Sequence, residues 1–180
     1  AAADPDALYV PSYYNTNALI AIQAKEVGLD AQLLGADGWD GVLSALDENN
    51  KSAVEGVVFT NHFTATDPDA KVQDSVTRYR EAYGSDPSSF PALGYHAGMM
   101  LFQAIEAAGT TDSAAVNEAL ANLQYEGVTG AIHYEGSGDP VKDVKFVTVK
   151  DGAYALVENG AEEAPAEEPA SEEASEEAAA

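Results

Sequence analysis

Three short apolar runs each end in a polar and aromatic cluster: ALYVPSYY at 7–14, LLGADGWD at 33–40 and GVVFTNHF at 56–63. Continuous apolar runs of this length, bounded by turn residues and separated by helical patterns, are what strands covered on both faces look like. That alternation constrains the chain to an α/β fold with a parallel sheet. In such a sheet ligands bind outside the carboxyl ends of the strands, which is where the three clusters collect. The pattern therefore points to a binder of a small molecule.

The pattern continues along the chain. Asn15 is placed to cap a helix whose stripe is Ile20, Ala24 and Val27, with Gly28 as its stop. A strand over 31–36 and a short helix near 40–48 form the next unit. After a strand at 55–61, Asp67 stands as an N-cap before Pro68, and Val72, Val76, Tyr79 and Tyr83 recur at helical spacing up to Gly84. A further helix begins near Pro91, with Leu93, Ala97, Leu101, Ile105 and Ala108 as its apolar stripe, and Gly94 and Gly98 available for close backbone approach. Another spans about 112–123, with Val116, Leu120 and Leu123 inward. The period then changes to two, and Asp151-Gly152 reads as a two-residue hairpin turn.

Charge narrows the class of partner. The net charge is −23, with 31 acidic residues against 8 basic ones, which argues against nucleic acid and against an anionic membrane surface. Eight of the acids are glutamates in residues 159–180, a Glu/Ala/Pro stretch with almost nothing to bury, expected to be a disordered acidic tail. The chain has no cysteine, so thiol chemistry, disulfides and Cys-based zinc sites are excluded. It has no run of the roughly 20 apolar residues that a membrane span needs. The opening AAADPDALYV, without Met and running straight into a strand pattern, suggests a piece of a larger protein.

The ordered blocks DALYVPSYY, LLGADGWD, GVVFTNHF, VQDSVTRYREAYG, FPALGYHAGMMLFQAIEAAG and EGVTGAIHYEGSGDPVKDVKFVTVKDGAY resemble the substrate-binding proteins of branched-chain amino-acid ABC transporters. These have the type I periplasmic binding protein fold, and the resemblance covers about residues 5–156, the C-terminal half of such a protein. It implies two parallel-sheet α/β lobes closing on a ligand, here incomplete. Residues 5–62 would belong to the second lobe, 63–140 to the first, and 141–158 would return to the second. It implies an amino-acid ligand, a membrane permease as partner, no cofactor, and an extracytoplasmic location, periplasmic or lipid-anchored. With both lobes incomplete, the chain is expected to be marginally stable by itself.

The resemblance also assigns a site. Asp37 in GADGWD matches the acidic residue that receives the ligand's α-ammonium, a role a carboxylate fills through a short charge-assisted hydrogen bond. Tyr13 matches an aromatic wall at the end of the preceding strand, Phe90 an aromatic of the side-chain pocket, and Trp39 is a further candidate wall. Each has a structural rival. Asp37 between Ala36 and Gly38 also suits a plain turn; the aromatic match at 13 also fits Tyr14; Trp39 and Phe90 also suit packing. A shorter acid than the usual Glu requires a closer ligand. Tyr95-His96 replaces the frequent Tyr-Asp, with His96 expected on the helix surface or between lobes.

Catalysis has no sequence support. Asp37, Asp40, His62 and His96 supply acid–base residue types, but without HExxH-like spacing; no GxSxG elbow, P-loop or GxGxxG after a strand is present. His62 reads as a strand-end residue. The rival to transport is a sensing or docking module in which the acidic tail binds a partner.

Overall fold

The computed structural model describes residues 5–157, so the expected tail at 159–180 lies outside the described residues. Strands β1 (Ala7–Val10), β2 (Gln32–Gly35) and β3 (Val58–Asn61) run parallel. Two later strands, β7 (Lys145–Lys150) and β8 (Ala153–Leu156), extend the same sheet antiparallel, in the order β1-β2-β3-β7-β8. The β7–β8 turn is the expected Asp151-Gly152 pair, with φ of 53° and 73°, the double positive φ that a twisted two-residue hairpin requires. The Glu55 carboxylate accepts both turn N–H groups, at 2.6 and 3.2 Å.

Helix α1 (Tyr14–Glu26) connects β1 to β2, but its cap and its face differ from expectation. Tyr13, not Asn15, is the N-cap residue, and the buried side chains are Asn17, Ala18 and Ala21. Apolar residues occur all round this helix, so spacing does not select a face; alanines win because they let the helix lie close on the sheet. Val27 is exposed at the helix end. Between β2 and β3 the expected helix is replaced by three 3-10 turns, at Asp37–Trp39, Val42–Ala45 and Lys51–Ala53. The Tyr154 hydroxyl accepts the Gly41 and Leu43 N–H groups and fixes these turns.

Trp39 sits at the centre of this half, fully buried with Val10, Val42, Phe59 and Val147. Its Nε1–H donates to the Val10 carbonyl at 2.9 Å, and its ring stacks on Phe59 with centroids 6.5 Å apart. Gly35 makes room for it: a Cβ there would lie 2.0 Å from the indole.

Residues between β3 and β7 build a second set of elements. Helices α2 (Ala70–Tyr83), α3 (Ser89–Ala108) and α4 (Ser113–Ala121) precede an antiparallel sheet of β4 (Tyr125–Gly127), β5 (Gly130–Tyr134) and β6 (Pro140–Lys142). Asp69 and Asp112 cap α2 and α4, each carboxylate accepting two backbone N–H groups. Gly84 and Gly109 end α2 and α3 in the left-handed conformation.

Two expectations fail here for identifiable reasons. The buried positions of α3 beyond Ser89 are Ala92, His96, Met100 and Ala104, one residue round from the apolar stripe; Met100 packs with Tyr125 and Ile132, and His96 lies against the Tyr125 ring and is hydrogen-bonded to the Val128 N–H. His96 is thus buried rather than on the surface. A Cβ at Gly94 or Gly98 would meet nothing within 4 Å, so neither serves close packing.

Asp67, expected as a cap, instead anchors the second set to the first. Its Oδ1 accepts the Asp69 N–H, and its Oδ2 lies 2.6 Å from Lys145 Nζ at the start of β7. Burial alone would raise its pKa; the Lys145 contact and the Asp69 N–H outweigh that and hold it below the ordinary 3.8. As pH falls, the unfolded chain therefore takes up this proton first. The contribution is complete above about pH 3.8 and lost as pH drops through the folded value. Acid-unfolding curves should accordingly be less steep in Asp67→Asn than in the parent, and a superimposable profile would contradict the anchor. Gly35→Ala should cost about 1–3 kcal/mol by overpacking against Trp39, read as a lower midpoint in urea.

Candidate functional site

The carboxyl ends of β1, β2 and β3 converge on one edge. Parallel pairing sets Gly35 beside Phe59, so the residues just past β2 and β3 are neighbours. Past β1, Tyr13 adopts an extended conformation at the start of α1 and exposes 68% of its surface. Past β2, Asp37 opens a 3-10 turn with its carboxylate more than half exposed. Past β3 comes His62, whose Nε2 stands 3.4 Å from Asp37 Oδ2. The Asn61 side chain accepts the His62 N–H at 2.8 Å, which sets the backbone there.

The first two loops interlock through a glycine. A Cβ on Gly38 would lie 2.4 Å from the Ser12 carbonyl and 3.4 Å from the Tyr13 Cα, so only glycine lets the turn after β2 seat against the loop after β1. Asn17 Nδ2 donates to the same Ser12 carbonyl at 2.7 Å and holds that loop from inside. Tyr13 and Asp37 are therefore placed together by backbone packing, before any ligand is considered.

Phe90 is tied to this edge by Asp40. The buried Asp40 carboxylate accepts the Ser89 N–H at 2.6 Å, providing the cap at the start of α3 that the Ser88 side chain does not. Phe90, next in the chain, is 46% exposed. Trp39 is a correction to the expected site. With no accessible surface, and with its one N–H given to Val10, it offers nothing for a ligand to touch; packing is its role.

The edge thus presents an exposed carboxylate beside an imidazole, with an exposed tyrosine on the adjoining loop. A carboxylate only accepts hydrogen bonds, so it selects a donor, most strongly a cation. A hollow of about 620 Å³ is lined by Asp40, Asn61, Phe63, Tyr79 and Tyr154 among others. Two of its polar groups are committed: Asp40 to Ser89, and the Tyr154 hydroxyl to two backbone N–H groups, with burial pushing that phenol up to about 12. The strand edge is therefore the better candidate. Among the described residues no group of three or more His, Asp or Glu is placed to hold a metal ion.

The contact that sequence reasoning missed is His62 with Asp37. Part of the signal was in the sequence, a titratable side chain within two residues of each strand end; the pairing of the two strands was not.

Comparison with known proteins yields one family and several relatives. A family described as "Periplasmic binding protein" matches residues 1–153. A leucine-, isoleucine-, valine-, threonine- and alanine-binding protein of Pseudomonas aeruginosa is 31% identical over 133 residues, 73% of this chain and 35% of that one. A leucine binding protein of Thermotoga maritima superposes with a TM-score of 0.74 at 34% identity, over 84% of this chain and 43% of that one. A branched-chain amino acid transporter substrate binding protein of Streptococcus pneumoniae, solved with isoleucine, gives 0.72 at 29%, over 84% and 44%. The chain spans less than half the length of each of these relatives.

Gly38→Ala should push the two loops apart. We expect a loss of about 1–3 kcal/mol in stability and a displaced Tyr13 and Asp37. Denaturant titration gives the first; chemical shifts of the Ser12–Tyr14 amides give the second, and unmoved amides would contradict the interlock.

Proposed function

Because the chain belongs to the periplasmic binding protein family, we propose that it serves an extracytoplasmic solute-binding protein that captures a branched-chain or related aliphatic amino acid for uptake. The observation that carries this reading is the exposed Asp37 carboxylate, set beside Tyr13 at the carboxyl edge of a parallel sheet.

In this reading the ligand's α-ammonium donates to Asp37. The contact is charge-assisted and gains strength when closure excludes water. Tyr13 walls the ligand with its ring and has a hydroxyl within the same edge to share the ammonium. Phe90 borders the aliphatic side chain. The ligand's α-carboxylate is left to groups outside the described residues.

The sheet of β1, β2, β3, β7 and β8 corresponds to the second lobe, and the stretch from 63 to the end of β6, which holds the other sheet, to part of the first. The ligand bridges the two, and closure is driven by its greater affinity for the closed arrangement. A membrane permease of an ABC transporter then receives the closed form. The relatives are binding proteins by name, and no chemistry on the ligand is part of the proposal. Location outside the cytoplasmic membrane follows from the same reading. No helix among the described residues is long and apolar enough to cross a membrane.

Thermal unfolding in the presence of leucine, isoleucine or valine tests the assignment. A ligand at about 100 times its Kd stabilises the native state by about 2.7 kcal/mol, a plainly shifted midpoint. The shift should vanish in Asp37→Asn and should not be produced by N-acetyl-leucine, which lacks the ammonium. An equal shift with N-acetyl-leucine, or in Asp37→Asn, would overturn the role of Asp37.

A further inference from the structure

We propose that His62 is a positioning residue for Asp37 and makes capture of an ammonium-bearing ligand sensitive to pH, the ligand being held near neutrality and released as the medium acidifies. The inference rests on the assignment of Asp37 to the ligand's ammonium.

The geometry starts from strand register. β2 and β3 pair in parallel, and side chains just past their ends meet, His62 Nε2 at 3.4 Å from Asp37 Oδ2. His62 is half-buried, its backbone held by the Asn61 side chain, while the Asp37 carboxylate reaches outward. The imidazole thus backs the carboxylate on the protein side and leaves the other side open to a ligand.

A carboxylate only accepts, so a neutral imidazole turns an Nε2–H toward it and keeps a lone pair on Nδ1. That Nδ1 is buried and has no hydrogen-bond partner. A proton placed there would have no acceptor among the described residues, and the imidazolium would face the Asp37 carboxylate. The ligand's ammonium needs the same carboxylate. The two cations therefore compete for one anion and repel each other across it, so that each weakens the binding of the other by the same factor. Histidine is the side chain that changes charge between pH 5 and 8. Over that interval a free amino acid keeps both its ammonium and its carboxylate charged, so the protein supplies the sensitivity.

Among the described residues, the lining of the hollow that His62 shares holds no Asp or Glu. His62 shares a hollow of about 330 Å³ with His96 of α3 and with Lys142 of β6. Burial holds both of these below their ordinary values, and Lys142 adds to the effect on His96. Tyr134 of β5 lines the same hollow, and Tyr13 adjoins the Asp37 turn. Across the ladder from Asn61 is Lys145, which is bound to Asp67. His96 is already engaged, its Nε2 accepting the Val128 N–H and its Nδ1 facing the Thr129 hydroxyl.

Calorimetric titration of the full chain with leucine at about pH 7.5 and about pH 5.5 tests the proposal in the parent, His62→Gln, His62→Leu and Asp37→Asn. The parent should lose about tenfold in affinity at the lower pH. His62→Gln, which keeps a donor without a titrating charge, should bind more weakly than the parent at the higher pH but change by less than about twofold between the two. His62→Leu should bind more weakly still. Titrations of the parent near pH 6 in buffers of different ionisation heat should show protons released on binding. A parent affinity independent of pH, an undiminished pH dependence in His62→Gln, or binding without proton release would each overturn the role of His62. Failure of leucine to bind the parent at either pH, or Asp37→Asn binding as tightly as the parent, would instead overturn the Asp37 assignment beneath it.

Discussion

One buried indole organises the strand edge on which the proposed function depends. Trp39 crosses the end of the sheet, stacks on Phe59 and donates to the carbonyl of Val10. A buried N–H must find an acceptor, and this one finds it at the last residue of β1. The turn after β2 is thereby pinned to the end of β1. Gly35 leaves the space for the ring, and Gly38 lets the pinned turn close on Ser12. The neighbour two positions before the indole, Asp37, is left facing outward. An aromatic that was a candidate for touching ligand does something prior to that, fixing where the proposed ligand partner stands.

In a chain this acidic, each aspartate near the site has a different electrostatic task. Asp40 is buried and gives its charge to the Ser89 N–H, joining the sheet to α3. Asp67 is buried and gives its charge to Lys145, joining the start of α2's loop to β7. Asp69 and Asp112 satisfy helix N-termini. Asp37 alone of these is backed by an imidazole and open to solvent on its far side. Acids that look equivalent as composition are separated by whether a donor within the protein has already claimed them.

The strands of the first sheet, β5, the Asp151-Gly152 turn and the strand-end clusters were legible in the sequence because they depend on local period and on turn chemistry, whereas the short strands β4 and β6 were not. So was the family, on six blocks in order. Helix faces were not. In α1 apolar residues surround the axis, and in α3 a buried histidine bonded to Val128 takes a position that hydropathy assigns to solvent. The capping role given to Asp67 failed because Asp69, two residues on, has the same chemistry, and only tertiary packing brings Lys145 to the first of them. Trp39 was ambiguous for a related reason: a large aromatic after a strand suits a pocket wall and a core equally, until the missing Cβ of Gly35 decides. The pairing of His62 with Asp37 needed strand register, which no single segment carries.

The first sheet is not finished when its three parallel strands have been made. β3 pairs along its free edge with β7, Val58 opposite Thr148 and Asn61 opposite Lys145, and α2, α3 and α4 are all encoded between those partners. During synthesis the edge of β3 must wait, unpaired, for α2, α3 and α4 to emerge. Pairings this distant in sequence slow folding, and an apolar edge left open is a template for another chain. The topology that brings β7 and its lysine back to the sheet therefore also sets the interval in which a nascent chain is most exposed to misassociation, and makes that interval as long as the insertion itself.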